Sequence, residues 1–391
     1  MLKIPVFRLK SQKIIFCFFL IFSLLCIFYL TRGFYYLIVD EIGAKDLYSR
    51  WIEQQYIYRG LYSYDITEGS PLVDPQLGPV RSGGYPPWAF FSGFIFFPPI
   101  SWELTRWYHG LLNTISLIIL TIFAYQIGQP YGNLKAWFTV VACLSISSNA
   151  TTLGVGQYGV IINALLIGIF WSLQKNKNLF AGLFLGLALL KPTISAPYFL
   201  ILVIRKKIDA IFTCCLYIFI ASSTIGMLTQ VSPIYMIEKM IKVSQYYVHS
   251  GYSGINVLLN LGINPAIATI LLAIVATVIL IGLLYLFENS SLLFLFAVAA
   301  VIGRLWTYHL IYDNVMLVFL LLSVIDLTFN RPNKLNILIL TLLLLSLSLP
   351  AKIINLPYTQ IIQSIIWVVS FIYLLVYQKQ SKKIKSNNPS C

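Results

Sequence analysis

Three acidic residues lie within seven positions of one another, just after the first apolar stretch: Asp40, Glu41 and Asp46. A carboxylate held near a reacting centre can accept the proton of an attacking hydroxyl group. The alternative is a solvated acidic loop, because surface loops commonly carry acids. The residue types alone leave both interpretations open and do not rank the three acids as candidates for a catalytic base.

Lys191 is the single cation between Lys177 and Arg205. A charge at bilayer depth costs about 2.5–3.5 kcal/mol on insertion scales, so such a residue normally faces a cavity or a partner. A lysine can bind a phosphate group as a point charge. The alternative is that Lys191 reaches the lipid head groups from the end of a helix.

Arg304 and His309 flank a short aromatic segment, residues 306–308, between two apolar runs. This pair could clamp a phosphate leaving group, with the fork of guanidinium donors on one side. The alternative is an anchor at the membrane interface, where Trp, Tyr and Arg are common. Asp313 lies four residues after His309 and could orient its imidazole, or its carboxylate could be satisfied within the helical bundle. His249 lies in a polar stretch and is more typical of a plain loop.

Cofactor and metal signatures are weak in this sequence. The three histidines lie on separate segments and give no metal-binding spacing, although a divalent ion held by loop carboxylates stays possible. No phosphate-binding loop, dinucleotide-binding turn or nucleophile elbow is present. The six cysteines lack metal or redox spacing. We therefore predict no cofactor.

The composition is that of a membrane protein. Hydrophobic residues make up 59% of the 391 residues, charged residues only 10%, and the mean hydropathy is +0.82. Soluble domains carry about 25% charged residues. Several apolar runs reach the length of about 18–20 residues that spans a bilayer. We predict an all-α polytopic membrane protein with about 11–13 transmembrane or re-entrant helices, in a single embedded domain over residues 1–391.

The net charge of +14 does not indicate nucleic-acid binding. The basic residues form short clusters between apolar runs, as in cytoplasmic loops near anionic lipid. One contiguous basic face is not visible. These clusters place both termini in the cytoplasm, including a basic tail over residues 378–391, and they make membrane lipids the expected surroundings.

The same charge rule orients the remaining segments. A first helix over about 13–31 leads to a long polar segment, residues 32–85, which we place outside and which holds seven of the thirteen acidic residues. The further predicted spans are 108–127, 135–152, 157–173, 208–228, 266–287, 289–303, 308–326, 334–349 and 360–377.

Residues 86–99 are too short for a comfortable crossing, which predicts a re-entrant or tilted helix. At Lys191-Pro192 two half-length helices should meet. The polar residues expected at the external face are Gln157, Lys191, His249, Asn256, Arg304 and His309.

Four motifs resemble, in order, the polyprenol-phosphate-mannose-dependent α-mannosyltransferase-like family of the glycosyltransferase C superfamily. The first runs from Asp46 through Gly60 to Tyr64-Asp65, and the second is Tyr85-Pro86-Pro87-Trp88. The third joins Gly156-Gln157 to residues 181–187, and the fourth is Lys191-Pro192-Thr193. The resemblance covers roughly residues 40–207 and, more loosely, 304–314. The chain departs from the family at Arg50, where a Tyr is frequent, and before His309, where Ser-Trp-x-His is frequent.

The resemblance implies a sugar donor joined to a long lipid phosphate and transfer on the external face. An aspartate of the first external loop is then the base, with inversion at the anomeric carbon. That role falls on Asp46, with Asp40 and Glu41 as competing candidates. Lys191, Arg304 and His309 would neutralise the departing lipid phosphate. The other candidate substrate-binding residues are Gln157, Tyr85 and His249.

The sequence thus predicts a membrane glycosyltransferase that moves a hexose, foremost mannose, from a polyprenyl-phosphate-linked donor to a lipid or glycan acceptor in the cell envelope. A transporter or flippase of lipid-linked or polar solutes is the alternative. Transporters commonly show internal pseudo-symmetry between their halves. The single long loop after the first helix has no counterpart in the second half of the chain, which favours the enzyme. A structural membrane subunit would leave Asp46 and Lys191 without a purpose.

Overall fold

The computed structural model describes residues 5–81, 84–244, 253–306, 309–356 and 358–387, with the backbone alone for residues 5–12, 14 and 381–387. Within these ranges the secondary structure is helical throughout, with no strand. A chain this apolar must satisfy its backbone groups internally, and a helix does so within one segment. The all-α membrane architecture that the sequence predicts is therefore confirmed.

Eighteen α-helices run through the described residues. They are α1 (Pro5–Ile38), α2 (Lys45–Tyr58), α3 (Pro87–Phe96), α4 (Trp102–Gly128), α5 (Asn133–Leu144), α6 (Ser147–Val155), α7 (Gly159–Gln174), α8 (Asn178–Ala188), α9 (Pro192–Ile204), α10 (Ile208–Thr229), α11 (Pro233–Ser244), α12 (Gly254–Asn260), α13 (Pro265–Leu286), α14 (Leu292–Trp306), α15 (Val318–Asn330), α16 (Lys334–Leu347), α17 (Ala351–Ile354) and α18 (Thr359–Asn387). Short 3₁₀ segments cover Ser63–Asp65, Gln129–Tyr131 and Ile311–Leu317.

Six helical segments of the described chain are long and apolar enough to cross a bilayer. They are Ile15–Ile38, Trp102–Tyr131, Ile208–Thr229, Pro265–Leu286, Ile311–Asn330 and Thr359–Gln380. The bent pair α5 and α6 makes a seventh, and six shorter apolar helices (α3, α7, α8, α9, α14 and α16) have 10–17 residues. Span Ile311–Asn330 is buried over most of its length, whereas few residues of Ile15–Ile38 are buried. The Ile311–Asn330 span therefore lies at the centre of the bundle, and α1 lies at its edge.

Helix α1 continues past the predicted end at residue 31 and reaches Ile38. Gly33 lies within the helix, at a close contact with α6. A Cβ atom added there would lie 2.9 Å from Leu153 Cβ on α6. The polar segment therefore begins at Val39 instead of residue 32, and its first helix is α2.

The predicted span 135–152 is broken into α5 and α6, which meet at an angle of 45°. The break is stabilised by Asn149, whose Nδ2 donates to the carbonyls of Cys143 and Leu144, each at 3.1 Å. These bonds satisfy carbonyls at the end of α5 that have no helical partner. A hydrogen-bonding side chain, and not a proline, makes this break.

The predicted break at Lys191-Pro192 is confirmed, and the segment 86–99 forms the short helix α3. Two of the carbonyls at the end of α8 find side-chain donors. Trp88 of α3 donates its Nε1–H to the Leu189 carbonyl at 2.8 Å, and Ser195 of α9 donates its hydroxyl to the Ala188 carbonyl at 2.8 Å. Three short helices thus meet at Lys191.

Candidate functional site

The first turn of α2 places Asp46 against the end of α6. Ala44, just before the helix, has a φ of 53° and donates its N–H to the Gly154 carbonyl at 2.8 Å. Gly156 closes α6 with a φ of +74°, and a Cβ atom there would lie 2.4 Å from Leu47 Cβ. Only a glycine allows both this conformation and this approach. The close contact between Gly156 and Leu47 brings Asp46 beside Gln157, the residue that follows Gly156.

Gln157 connects three segments through its side-chain amide. Its Nε2 donates to Asp46 Oδ2 at 2.6 Å. Its Oε1 accepts from Lys191 Nζ at 3.3 Å and from the Tyr85 hydroxyl at 3.4 Å. Gln157 is buried, so the amide is fixed in this orientation by partners on both sides. The half-buried Asp46 carboxylate is thereby joined to a cation.

Lys191 forms a buried ion pair with Asp313. The Nζ–Oδ1 distance is 2.6 Å, and the side chains are 11% and 3% exposed. The ammonium group also lies 4.7 Å from the centroid of the Tyr312 ring, a cation–π contact. A lysine that reached the head groups would be exposed at its amine. The structure therefore supports the interpretation of Lys191 as a residue with an internal partner.

His309 completes the group on the other oxygen of Asp313. Its Nδ1 lies 3.1 Å from Asp313 Oδ2, and its Nε2 lies 3.0 Å from the Gly303 carbonyl oxygen. Both neighbours are acceptors, and a neutral imidazole can donate to only one of them. The sequence left two roles open for Asp313, and the structure shows a contact for each: one oxygen lies by His309 and the other is paired with Lys191 within the bundle. We call Asp46, Tyr85, Gln157, Lys191, His309 and Asp313 the polar cluster.

Arg304 lies next to the polar cluster, in the last turn of α14. Its Nε donates to Asn314 Oδ1 at 2.7 Å, and its guanidinium group lies 5.3 Å from the centroid of the Trp367 ring. Asn314 follows Asp313 directly in the chain. Arg304 is buried, which does not fit the alternative of an exposed interfacial anchor.

Tyr85 is held by Arg50, a residue that the sequence analysis noted only as a departure from the family. The Arg50 guanidinium lies 4.1 Å from the centroid of the Tyr85 ring and is ion-paired with Glu53. The Tyr64 hydroxyl accepts from Arg50 Nη1 at 3.4 Å and from the backbone N–H of Tyr85 at 2.9 Å. Burial alone lowers the pKa of Arg50, but the Glu53 carboxylate together with Tyr64 and Tyr85 outweighs burial and raises the pKa above its usual value. The i, i+3 spacing of Arg50 and Glu53 on a helix was the available signal.

Asp40 and Glu41 lie outside the polar cluster. Asp40 Oδ1 accepts from the backbone N–H of Ile42 at 2.9 Å, and its carbonyl accepts from Arg106 Nη2 at 2.6 Å. Glu41 is exposed. Among the contacts that the structure describes, neither acid bonds to a cluster residue. Of the three candidate bases, the structure brings only Asp46 to the polar cluster.

Two further expectations from the sequence are a role for His249 and a divalent ion held by carboxylates. His249 lies outside the described residues, as do Thr307 and Tyr308 before His309. Over the described ranges, no group of three or more His, Cys, Asp or Glu side chains is arranged to hold a metal ion. The candidate site is therefore the polar cluster with its two supports, Arg304 and Arg50.

The polar cluster combines groups with complementary chemistry. Asp46 offers a half-buried carboxylate, which can take up a proton. Lys191 offers an ammonium group that can stabilise developing negative charge in a setting largely shielded from water. Tyr85 adds an aromatic face beside them. The arrangement suits a reaction in which a hydroxyl group loses its proton while an anion departs.

Comparison with protein families gives one match. Residues 84–251 match glycosyltransferase family 87, a stretch that includes Tyr85, Gln157 and Lys191. The matched stretch is a little under half of the chain, and it supports a membrane glycosyltransferase. Comparisons with curated proteins and with solved structures give no match.

Proposed function

We propose that the protein transfers a hexose, foremost mannose, from a polyprenyl-phosphate-linked donor to a lipid or glycan acceptor on the extracytoplasmic face of the membrane. The observation that carries the proposal is the hydrogen-bonded path from Asp46 through Gln157 to Lys191, Asp313 and His309. It joins a carboxylate to basic groups contributed by separate segments of the helical bundle. The match to glycosyltransferase family 87 supports the reaction class.

Asp46 is the proposed base. The acceptor hydroxyl oxygen forms a bond to the anomeric carbon while the bond from that carbon to the phosphate oxygen breaks. The hydroxyl proton passes to the Asp46 carboxylate, and the polyprenyl phosphate leaves with the bonding electron pair. The hydrogen bond from Gln157 to Oδ2 orients the carboxylate. Attack opposite to the departing phosphate inverts the anomeric carbon.

Lys191 is the proposed partner of the departing phosphate. In the structure its ammonium group is held by Asp313 and Gln157, so the donor phosphate would share or replace these acceptors. Arg304 and His309 lie around Asp313 and add basic groups to the same region. Cationic donors placed where negative charge develops are the largest electrostatic contribution to many group-transfer reactions.

The aromatic residues at the start of α3 are proposed to contact the sugar or the prenyl chain. Tyr85 is fixed from two sides, by Arg50 over its ring and by Gln157 at its hydroxyl. Trp88 is fixed through its indole N–H on the Leu189 carbonyl. Rigid aromatic faces lose little side-chain entropy on binding.

The test uses purified protein in lipid with radiolabelled polyprenyl-phosphate-mannose or polyprenyl-phosphate-glucose and a membrane extract as the source of acceptor. We expect label to move to a new product in the wild type. In Asp46→Asn we expect a rate lower by about 10²- to 10⁴-fold, the usual contribution of general-base catalysis. Asp40→Asn is the matched control, because its carboxylate lies outside the polar cluster, and it should keep near wild-type activity.

Two outcomes would contradict the proposal. Label that stays on the lipid for both sugars, in the presence of correctly folded protein, would shift the case toward a transporter or flippase. Full activity in Asp46→Asn with loss in Asp40→Asn would move the base to Asp40. The face of the membrane is tested separately with Glu68→Cys, because Glu68 is exposed in the polar segment. A membrane-impermeant thiol reagent should label it from outside intact cells.

A further inference from the structure

A cavity beside the start of α2 lies apart from the polar cluster. It has a volume of about 340 Å³ and lies between α1, α6, the turn before α2 and the residues that begin α17. Its walls include two cations, Arg32 and Lys45, and no acidic residue. Aromatic rings of Tyr29 and Tyr36 line the same space. A cavity with two positive charges and no negative one favours an anionic ligand.

The two cations are available to a ligand. Within the described part of the chain, neither Arg32 nor Lys45 forms an ion pair with a carboxylate. Arg32 instead lies over the Tyr36 ring, with 5.5 Å between the guanidinium carbon and the ring centroid. A guanidinium group stacked in this way keeps its in-plane donors free for a phosphate or a carboxylate.

The walls of the cavity are fixed by close backbone contacts. A Cβ atom on Gly43 would lie 1.8 Å from the Tyr36 carbonyl oxygen, so only glycine allows the turn to cross the end of α1. The Tyr29 hydroxyl donates to the Ser348 carbonyl at 2.7 Å and ties α1 to the segment before α17. The backbone packing of the fold therefore fixes the shape of the cavity.

The cavity lies beside the residues that precede the proposed base, although Asp46 itself does not line it. Residues 43–45 form one wall, and Asp46 is the next residue of α2. Helix α1, which forms another wall, is the membrane span with the least burial inside the protein. A ligand in the cavity would thus lie between the lipid surroundings of α1 and the residue that precedes Asp46.

We propose that this cavity binds the anionic head group of a lipid-linked acceptor, so that the acceptor hydroxyl is presented to Asp46. The proposal rests on the proposed function, because it assigns the acceptor of that reaction to a chemical class. Arg32 and Lys45 would bind the anionic group, and Tyr36 would contact the adjoining part of the head group. The polar cluster would remain available to the donor phosphate.

The binding test measures lipid retention and does not depend on transfer. Purified protein is equilibrated in neutral detergent with dioleoyl phosphatidylglycerol or with dioleoyl phosphatidylcholine, and bound lipid is counted by native mass spectrometry. We expect selective binding of phosphatidylglycerol, weakened about tenfold or more in Arg32→Gln/Lys45→Gln, since two charge-assisted contacts are removed. Lys334→Gln is the control, because Lys334 is exposed and does not line the cavity. Equal retention of both lipids, or an unchanged double variant, would overturn the proposal.

A competition arm tests the acceptor role and the lipid character. Phosphatidylglycerol should raise the amount of membrane extract needed for half-maximal transfer in the wild type and leave the half-maximal donor concentration unchanged. Glycerol 1-phosphate, which carries the charge without the acyl chains, should not compete. Competition by glycerol 1-phosphate at equal concentration, or competition against the donor, would overturn the assignment. If the wild type transfers no sugar at all, the proposed function fails, while the retention experiment still decides whether the cavity binds an anionic head group.

Discussion

The segment between α1 and α3 places its charged residues in two different surroundings. At its start, Asp46 joins the polar cluster, in which Lys191 and Asp313 form an ion pair with 11% and 3% exposed side chains. Further along, Asp65 pairs with Lys239 of α11 at 3.1 Å, and these side chains are 33% and 30% exposed. We call Asp65 and Lys239 the surface pair. The Lys191–Asp313 pair and the surface pair both join a lysine to an aspartate. Burial determines how much each pair contributes to the stability of the fold.

Burial makes the two pairs respond differently to the loss of one member. A buried charge left without its partner retains the full cost of its removal from water, whereas an exposed charge is solvated again. The surface pair also shares Asp65 with the Tyr235 hydroxyl at 2.8 Å, so one contact remains if Lys239 is removed. In the polar cluster, a single substitution that removes a charge should therefore lower the stability of the protein strongly.

The largest stability effect is expected for Asp313→Asn. The substitution leaves the Lys191 ammonium group buried without its carboxylate, and the one remaining amide oxygen cannot replace both carboxylate oxygens that face Lys191 and His309. We expect the protein to be destabilised by about 3–5 kcal/mol, as for other broken buried pairs. The midpoint of chemical unfolding in detergent micelles measures this effect, and a value below about 1 kcal/mol would show that Lys191 finds water or another partner.

The double variant Lys191→Met/Asp313→Leu separates stability from function. Replacing both buried charges with apolar side chains of similar volume is often neutral or stabilising. We expect the double variant to unfold near the wild-type midpoint and still to lack transfer activity. Recovery of activity together with stability would assign the pair a purely structural role.

A smaller effect is expected at the glycine that brings Asp46 to Gln157. Gly156→Ala meets both a positive φ and a Cβ contact of 2.4 Å with Leu47. Gly69→Ala, in the same segment as the surface pair, has a φ of +84° but nothing within 4 Å of the added Cβ. The difference between the two variants isolates the cost of overpacking, which we expect to be about 1–3 kcal/mol. Equal unfolding midpoints for the two variants would show that α2 and α6 move apart without a measurable loss of stability.

The smallest effect is expected for the surface pair. Asp65→Asn should destabilise the protein by less than about 1 kcal/mol, since exposed pairs contribute about 0–1 kcal/mol. The loss should shrink further at high ionic strength, where salt screens exposed charges. Unfolding midpoints at low and high salt measure this dependence. A loss as large as that of Asp313→Asn would remove the distinction between the two regions.

Much of the helical framework could be predicted from the sequence, because its signals are local. Pro192 follows a charged residue inside an apolar run, and this local pattern predicts the break between α8 and α9. The proline-bracketed segment 86–99 likewise predicts a short helix. The break between α5 and α6 was not predicted, since it depends on the direction taken by the Asn149 side chain. The predicted first helix ended at about residue 31, whereas α1 includes Gly33, which packs closely against Leu153.

The sequence predicted which residues lie together in the candidate site, but it did not predict which of them form hydrogen bonds or ion pairs with each other. Placing polar residues on one face of the membrane predicted that Asp46, Gln157 and Lys191 lie together, and the structure joins them by hydrogen bonds. The pairing of Lys191 with Asp313 was not predicted, because 122 positions separate them and only helix packing brings them together. The placement of Arg50 over Tyr85 is equally a product of packing.

The joint between α8 and α9 has a consequence for how the site meets its ligands. Exposed carbonyls at such a joint would leave it free to sample several shapes, each stabilised by a different donor. Here Trp88 of α3 and Ser195 of α9 donate hydrogen bonds to two of these carbonyls. The conformational entropy of the joint is thus given up when the chain folds, and not when a ligand binds. Lys191 meets the ligand as part of a preorganised frame.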